Sequence, residues 1–226
     1  MLVGWVVRVP LLAGKEGHEA ITRAAWEGLA LTVTQRRALI RGVRAPDIGL
    51  AGLLSSAFPF AQQRHALRAW YGTTTADAIQ QMRDFMTARH LRALALPDGP
   101  RRWAVFGEVL HCLQDSYSPA HADRDGARIL MIRHWGPLDA LRRTGGGTPP
   151  VDEHGFPTDR RDRAWTSGAL SAEAGAAVSA SRGYLAVAAR HSGSAESEES
   201  RRRELSAFLD GCVSGATDND PNRAAA

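Results

Sequence analysis

Lysine is nearly missing from this chain, cysteine occurs only twice, and no apolar run is long enough to cross a bilayer. Each shortage excludes something. Two cysteines, Cys112 and Cys212, cannot make a disulfide framework, and a chain of 226 residues has no need of one. Cys112, beside His111 on a helix turn, is expected to be a buried free thiol, with a bridge to Cys212 left open for an exported form. A membrane span needs roughly 20 apolar residues, so the chain reads as soluble or peripheral. The opening "MLVGWVVRVPLLAG" is apolar, but it lacks a basic leading region and is broken by Arg8 and Pro10. That argues against a signal peptide and leaves export open. Aromatic residues make up 7% of the chain and no lysine-rich track is present, which disfavours a groove that stacks nucleotide bases. The net charge of +4 is carried almost wholly by dispersed arginine. It suits an anionic partner such as a phosphate ester or a membrane surface without selecting one.

β-Branched residues are also sparse, and no alternating run survives beyond the first ten positions, so strands are not expected. Helical periodicity is present throughout. Residues 17–31 place Ile21, Ala25, Gly28 and Leu29 on one side, and Thr34 reads as the N-cap of a helix that stops before Pro46. Residues 60–70 form a short helix, and Thr74 or Thr75 opens a long one that ends near Pro97. A central helix over 100–117 carries Trp103, Phe106, Leu110 and Leu113 at three- and four-residue spacing. A Gly/Pro-rich loop at 144–159 precedes helices near 160–190 and 196–213, the last with Glu198–Arg202 and Glu199–Arg203 pairs on a solvated face. With no repeat and no linker, the expectation is an all-α, single-domain helical bundle over 14–215. An irregular N-terminal segment, 1–13, precedes it and a disordered tail, 216–226, follows.

The stretch that carries chemistry is "HCLQDSYSPAH" at 111–121. His111 and Asp115 are four residues apart and project from one helix face. Gly107, one turn earlier, leaves room beside the imidazole. Pro119 ends the helix and lets His121 reach back over its end. Taken singly, His111 is a satisfied core histidine, Asp115 a turn cap and His121 an exposed side chain. Together they are two ligands from a helix and a third from the next turn, a donor set that suits zinc.

"GEVLHCLQDSYSPAH" resembles the signature of the zinc-dependent phospholipase C and S1/P1 nuclease superfamily, in which a helix supplies H-x3-D and the next turn a histidine after x5. Further pieces follow in the family's order. "GHEAIT" resembles its first helix, whose metal-binding histidine maps to His18. "RGVRAPDIG" and "QQRHALRAW" resemble the segments that map to Asp47 and His65. "DEHGFPTD" resembles the closing pair, which maps to His154 and Asp159. The competitor for that place is His134, with Asp139 five residues on; the polar loop position favours His154. The resemblance covers roughly residues 14–165. Family members with three zinc ions use an N-terminal tryptophan as a ligand, whereas this chain begins at Met1 and its nearest tryptophan is Trp5. The resemblance therefore implies two zinc ions, and a third only if processing exposes a new N-terminus.

What the resemblance implies is a phospholipase C-type helical bundle. Asp47, His65, His111 and Asp115 surround one zinc; His121, His154 and Asp159 hold the second; His18 is a further metal ligand. Asp47 and Asp115 are the catalytic carboxylates, and Asp115 bridges the ions. The implied activity is phosphodiester hydrolysis by a metal-activated water. A phospholipid head group, met through peripheral membrane contact, is the leading substrate, and single-stranded nucleic acid the lesser one. The alternative is a non-enzymatic toxin- or incompatibility-type interaction module on the same fold. Elsewhere, Glu19 is either a support for His18 or a helix-dipole residue. Asp123 and Asp125 read as turn residues, either of which could orient His121. His90 and His191 read as surface histidines, which makes His90→Ala a natural control.

Overall fold

Among the residues that the computed structural model describes (17–47, 59–68, 73–119, 121–132, 165–166 and 169–215), helix dominates. The helices are α1 (Gly17–Ala25), α2 (Val33–Arg44), α3 (Thr75–Ala95), α4 (Pro100–Asp115), α5 (Ala172–Gly193) and α6 (Glu198–Cys212). Two 3-10 turns, Ala45–Asp47 and Pro59–His65, lie between α2 and α3. The 1–13 segment, the 144–159 loop, the tail from 216, and His134, Asp139, His154 and Asp159 fall outside the described residues.

Local chemistry sets the helix ends. α2 begins at a capping box: the Thr32 hydroxyl accepts from the Gln35 N–H at 3.2 Å, and the Gln35 side chain accepts from the Thr32 N–H at 2.8 Å. The cap is therefore Thr32, not Thr34, because only Thr32 stands three residues ahead of a side chain that can reciprocate. Thr74 and Asp77 repeat the device at α3. Pro100 occupies the first turn of α4, where a missing N–H costs nothing. α1 ends at Ala25, short of the expected residue 31, and Gly28, at φ 81°, makes the turn toward α2. α5 starts later than expected, at Ala172 behind its Ser171 cap.

α4 is the axis of the bundle, with α1, α2, α3 and α5 packed against it. From Trp103 to Asp115 almost every residue is buried, including Phe106, Leu110 and Leu113. Burying each of these large side chains contributes roughly 1.5–3 kcal/mol. α2 crosses α4 in backbone contact. A Cβ added at Gly107 meets the Leu39 carbonyl oxygen at 2.5 Å and Gly42 Cα at 2.8 Å. Gly107 thus admits α2 rather than a ligand, which corrects the expectation of open space beside His111.

Strands do occur. β1 (Ala122–Asp125) and β2 (Arg128–Ile132) form an antiparallel hairpin that turns at Gly126, φ 59°. β3 (Trp165–Thr166) pairs with β4 (Ala169–Leu170). Asp123 and Asp125 therefore lie on a strand, not in a turn. Ile129 and Ile132 are both buried although they stand three apart, which the register shift opposite Asp123 and Arg124 permits, and they supply the hairpin's core side. Arg124 ties it down: its guanidinium donates to the Ser116 carbonyl at 2.6 Å and the Cys212 carbonyl at 2.9 Å, and it stacks 3.8 Å from the Tyr117 ring centroid. The chain just after α4 is fixed by these contacts. Both cysteines are buried free thiols, and burial pushes the Cys112 thiol far up. Among the described residues no helix is long and apolar enough to cross a membrane.

Candidate metal centre

The residues that converge come from five places in the chain. His18 lies in the first turn of α1. Asp47 is thrown inward by the 3-10 turn that follows α2, where Pro46 cannot continue the helix. His65 ends the second 3-10 turn. His111 and Asp115 share a face of α4, and His121 returns over its C-terminal end, its N–H donating to the Ser118 carbonyl at 2.9 Å.

Asp115 is the hub. Its Oδ1 lies 3.1 Å from His18 Nε2 and 3.8 Å from His121 Nε2. Its Oδ2 lies 3.0 Å from His111 Nε2 and 3.4 Å from His65 Nδ1. The carboxylate therefore faces one pair of imidazoles with each oxygen. Asp47 reaches both pairs from the other side, 3.7 Å from His65 Nδ1 and His111 Nε2 and 3.8 Å from His18 Nε2. His111, Asp115 and His121 are fully buried; Asp47, whose side chain is 16% exposed, is the rim.

The outer ring nitrogens are fixed. His111 Nδ1–H donates to the Val43 carbonyl at 2.9 Å, and His121 Nδ1–H to the His65 carbonyl at 2.6 Å. His18 Nδ1–H donates to the Gln114 side-chain oxygen at 2.9 Å. These acceptors cannot donate, so each neutral ring keeps its Nε2 lone pair for the interior. Despite the short separations, His18 Nε2 and both Asp115 oxygens lack any hydrogen-bond partner. A fully buried carboxylate without one is costly unless something else satisfies it.

That something fits a cation. The donors are imidazole nitrogen and carboxylate oxygen, the set zinc takes. His65 Nδ1, His111 Nε2 and Asp115 Oδ2 form a triangle with edges of 3.0, 3.0 and 3.4 Å. Ligands about 2.0–2.1 Å from one tetrahedral ion stand roughly 3.3 Å apart, so this triangle matches one face of a coordination shell. His18, Asp47 and His111 form a second group of compatible ligand atoms.

Within the cluster, His111 and Asp115 shift one another's protonation. Burial alone depresses the His111 pKa, but the Asp115 and Asp47 carboxylates outweigh it and hold it up at about 9. Burial raises Asp115, and the facing imidazoles of His121, His111 and His18 more than reverse that, holding its carboxyl well below the usual range. Glu19 takes no part: its carboxylate pairs with Arg23 at 2.6 Å and Arg44 at 3.3 Å.

Two residues read as surface histidines form a second buried cluster. His90 and His191 are 0% and 1% exposed. His90 Nδ1 lies 3.1 Å from the Tyr184 hydroxyl, His90 Nε2 lies 2.9 Å from His191 Nδ1, and His191 Nε2 lies 2.8 Å from Glu204 Oε2. His90→Ala is thus no neutral control. The signal was in the sequence: His90 continues the Met82–Met86 stripe at four-residue spacing on the buried face of α3. Gln114 was missed as well, though a polar residue on a helix buried all round needs a partner.

No protein-family model, no curated protein and no solved structure matches this chain.

Proposed function

We propose that the protein is a zinc-dependent phosphodiester hydrolase of the phospholipase C and P1 nuclease type, with a phospholipid head group as its preferred substrate. The observation that carries this reading is the convergence of His18, His65, His111 and His121 on Asp115 and Asp47, with the Asp115 oxygens and His18 Nε2 left without hydrogen-bond partners. Asp47, His65, His111 and Asp115 would hold one ion. His18 and His121, on the other oxygen of Asp115, would hold the second, joined in this reading by His154 and Asp159. Bound zinc lowers the pKa of a coordinated water toward about 7 and neutralises charge on a phosphodiester.

The chain's own residues supply the rest. The Val43 and His65 carbonyls and Gln114 aim three imidazoles inward. Asp115, closed to solvent, keeps the two histidine pairs together. Asp47, on the rim, is the carboxylate best placed to meet a water or a substrate hydroxyl. Low aromatic content and arginine dispersed over the chain favour a head-group ester over a stacked single strand.

The test combines metal analysis with hydrolysis of a chromogenic phosphocholine ester and of single-stranded DNA. Zinc-loaded protein should carry about two equivalents. Zinc at 100 times its Kd should add about 2.7 kcal/mol of stability, a rise of roughly 5–10 °C in Tm for a chain this long. Asp115→Asn keeps size and helix but removes the bridging charge, and should lose at least about 100-fold in zinc affinity together with hydrolysis. Wild-type protein that takes up no zinc refutes the metal reading. Zinc-loaded protein inert toward both substrates points instead to an interaction module.

A further inference from the structure

We infer that Gln114 is a positioning residue for the metal centre, selecting the His18 tautomer that turns Nε2 toward Asp115 and so recruiting α1 as a ligand donor. The inference rests on the metal reading above. Gln114 is fully buried on α4, beside Asp115 in sequence but directed elsewhere. Its side-chain oxygen accepts from His18 Nδ1–H at 2.9 Å. Its amide nitrogen donates to the Thr22 hydroxyl at 2.9 Å and the Ser181 hydroxyl at 3.3 Å. The amide thus spans from the Thr22 and Ser181 hydroxyls to the imidazole, with its oxygen on the His18 side. An oxygen there requires the His18 proton on Nδ1, and the lone pair then sits on Nε2, 3.1 Å from Asp115 Oδ1.

His18 differs from the other inward-facing histidines in how it is held. His111 and His121 are oriented by backbone carbonyls, which no substitution removes. His18 is oriented by a side chain alone among these three, so its aim can be lost while its own nitrogen stays intact. Gln114 also connects α1, α4 and α5 through one amide, so loading the metal and seating α1 become one event.

Cobalt(II) and zinc titrations of the full chain test this. Gln114→Met matches the side chain in size but offers no acceptor of comparable strength. It should weaken cobalt and zinc binding about 10–100-fold and alter the visible cobalt spectrum, because one nitrogen ligand is misaimed. Gln114→Glu restores an acceptor, and the Thr22 and Ser181 hydroxyls can rotate to donate to it. It should recover wild-type affinity and the wild-type cobalt spectrum. A Met variant with wild-type affinity and spectrum overturns the inference while leaving the metal reading intact. So does a Met variant whose metal-free melting falls while its cobalt spectrum is unchanged, since that is packing alone. Wild-type protein that binds neither metal refutes the metal reading itself, and the role of Gln114 with it. If Gln114→Met does not fold, Gln114→Asn, which draws the acceptor back by one carbon, takes its place with the same two outcomes.

Discussion

Two buried histidine clusters in this protein, one around Asp115 and one between α3, α5 and α6, are opposite in their hydrogen-bond accounting. In the second, a single polarity satisfies everything. The Tyr184 hydroxyl donates to His90 Nδ1, His90 Nε2–H donates to His191 Nδ1, and His191 Nε2–H donates to the Glu204 carboxylate. Arg190 then pairs with Glu204 at the surface end. Around Asp115 the outer nitrogens of His18, His111 and His121 are tied to acceptors, His111 Nε2 is hydrogen-bonded to His65 Nδ1 at 3.0 Å, and His18 Nε2 and the Asp115 oxygens are left without such a partner. His191, Glu196 and Glu204 do bring ligand atoms within metal-binding distance of one another. A metal on His191 Nε2, however, forces the chain to reverse and strands the Tyr184 proton. Residue type does not distinguish a ligand from a strut. The direction of the lone pairs does.

The largest expected difference between the clusters is in pH response. Burial, then the neighbouring His191 and Arg201, lowers His90 to about 3. A histidine at its ordinary 6.5 in the unfolded chain binds the proton first. The contribution is therefore complete above about 6.5 and is lost as pH falls toward 3, by up to about 5 kcal/mol. His111 has the opposite sign. Raised to about 9, its contribution in metal-free protein is present below 6.5 and lost as pH rises through 9. Denaturant melts across pH should show both limbs without metal, and zinc loading should remove the alkaline one, because zinc replaces the proton on His111. An alkaline limb that persists unchanged in zinc-loaded protein breaks the distinction.

Substitution in the relay should act on stability alone. His90→Ala leaves a cavity and strips partners from Tyr184 and His191, and should cost about 3 kcal/mol with zinc stoichiometry unchanged. A lost zinc equivalent in that variant would merge the two clusters into one function. The smallest effect belongs to the outer end of the relay. Glu204, a third exposed, is screened by solvent, so Glu204→Gln should cost about 1 kcal/mol or less by thermal melting. A much larger cost would mean that the relay's polarity depends on that carboxylate charge.

Much of the candidate site was legible in advance because its logic is local. The i,i+4 spacing of His111 and Asp115 puts both on one helix face whatever surrounds them. Pro119 ends α4 and Pro46 ends α2, which turns His121 and Asp47 out of helical register. The helical class was equally plain from periodicity. The β1–β2 hairpin was not, because its strands are short and the aspartates of "ADRD" resemble turn residues. The His90–His191 contact spans 101 positions, and no local pattern announces which buried faces will meet.

Spacing, capping and proline placement along the chain determine which side chains share a face and where each helix stops. Tertiary packing decides what those faces meet. The approach of α2 at Gly42 and Gly107 delivers the Val43 carbonyl to His111. The seating of α1 against α4 and α5 delivers Gln114 to His18. A histidine carries two nitrogens, and only a partner from elsewhere in the fold fixes which of them keeps its lone pair.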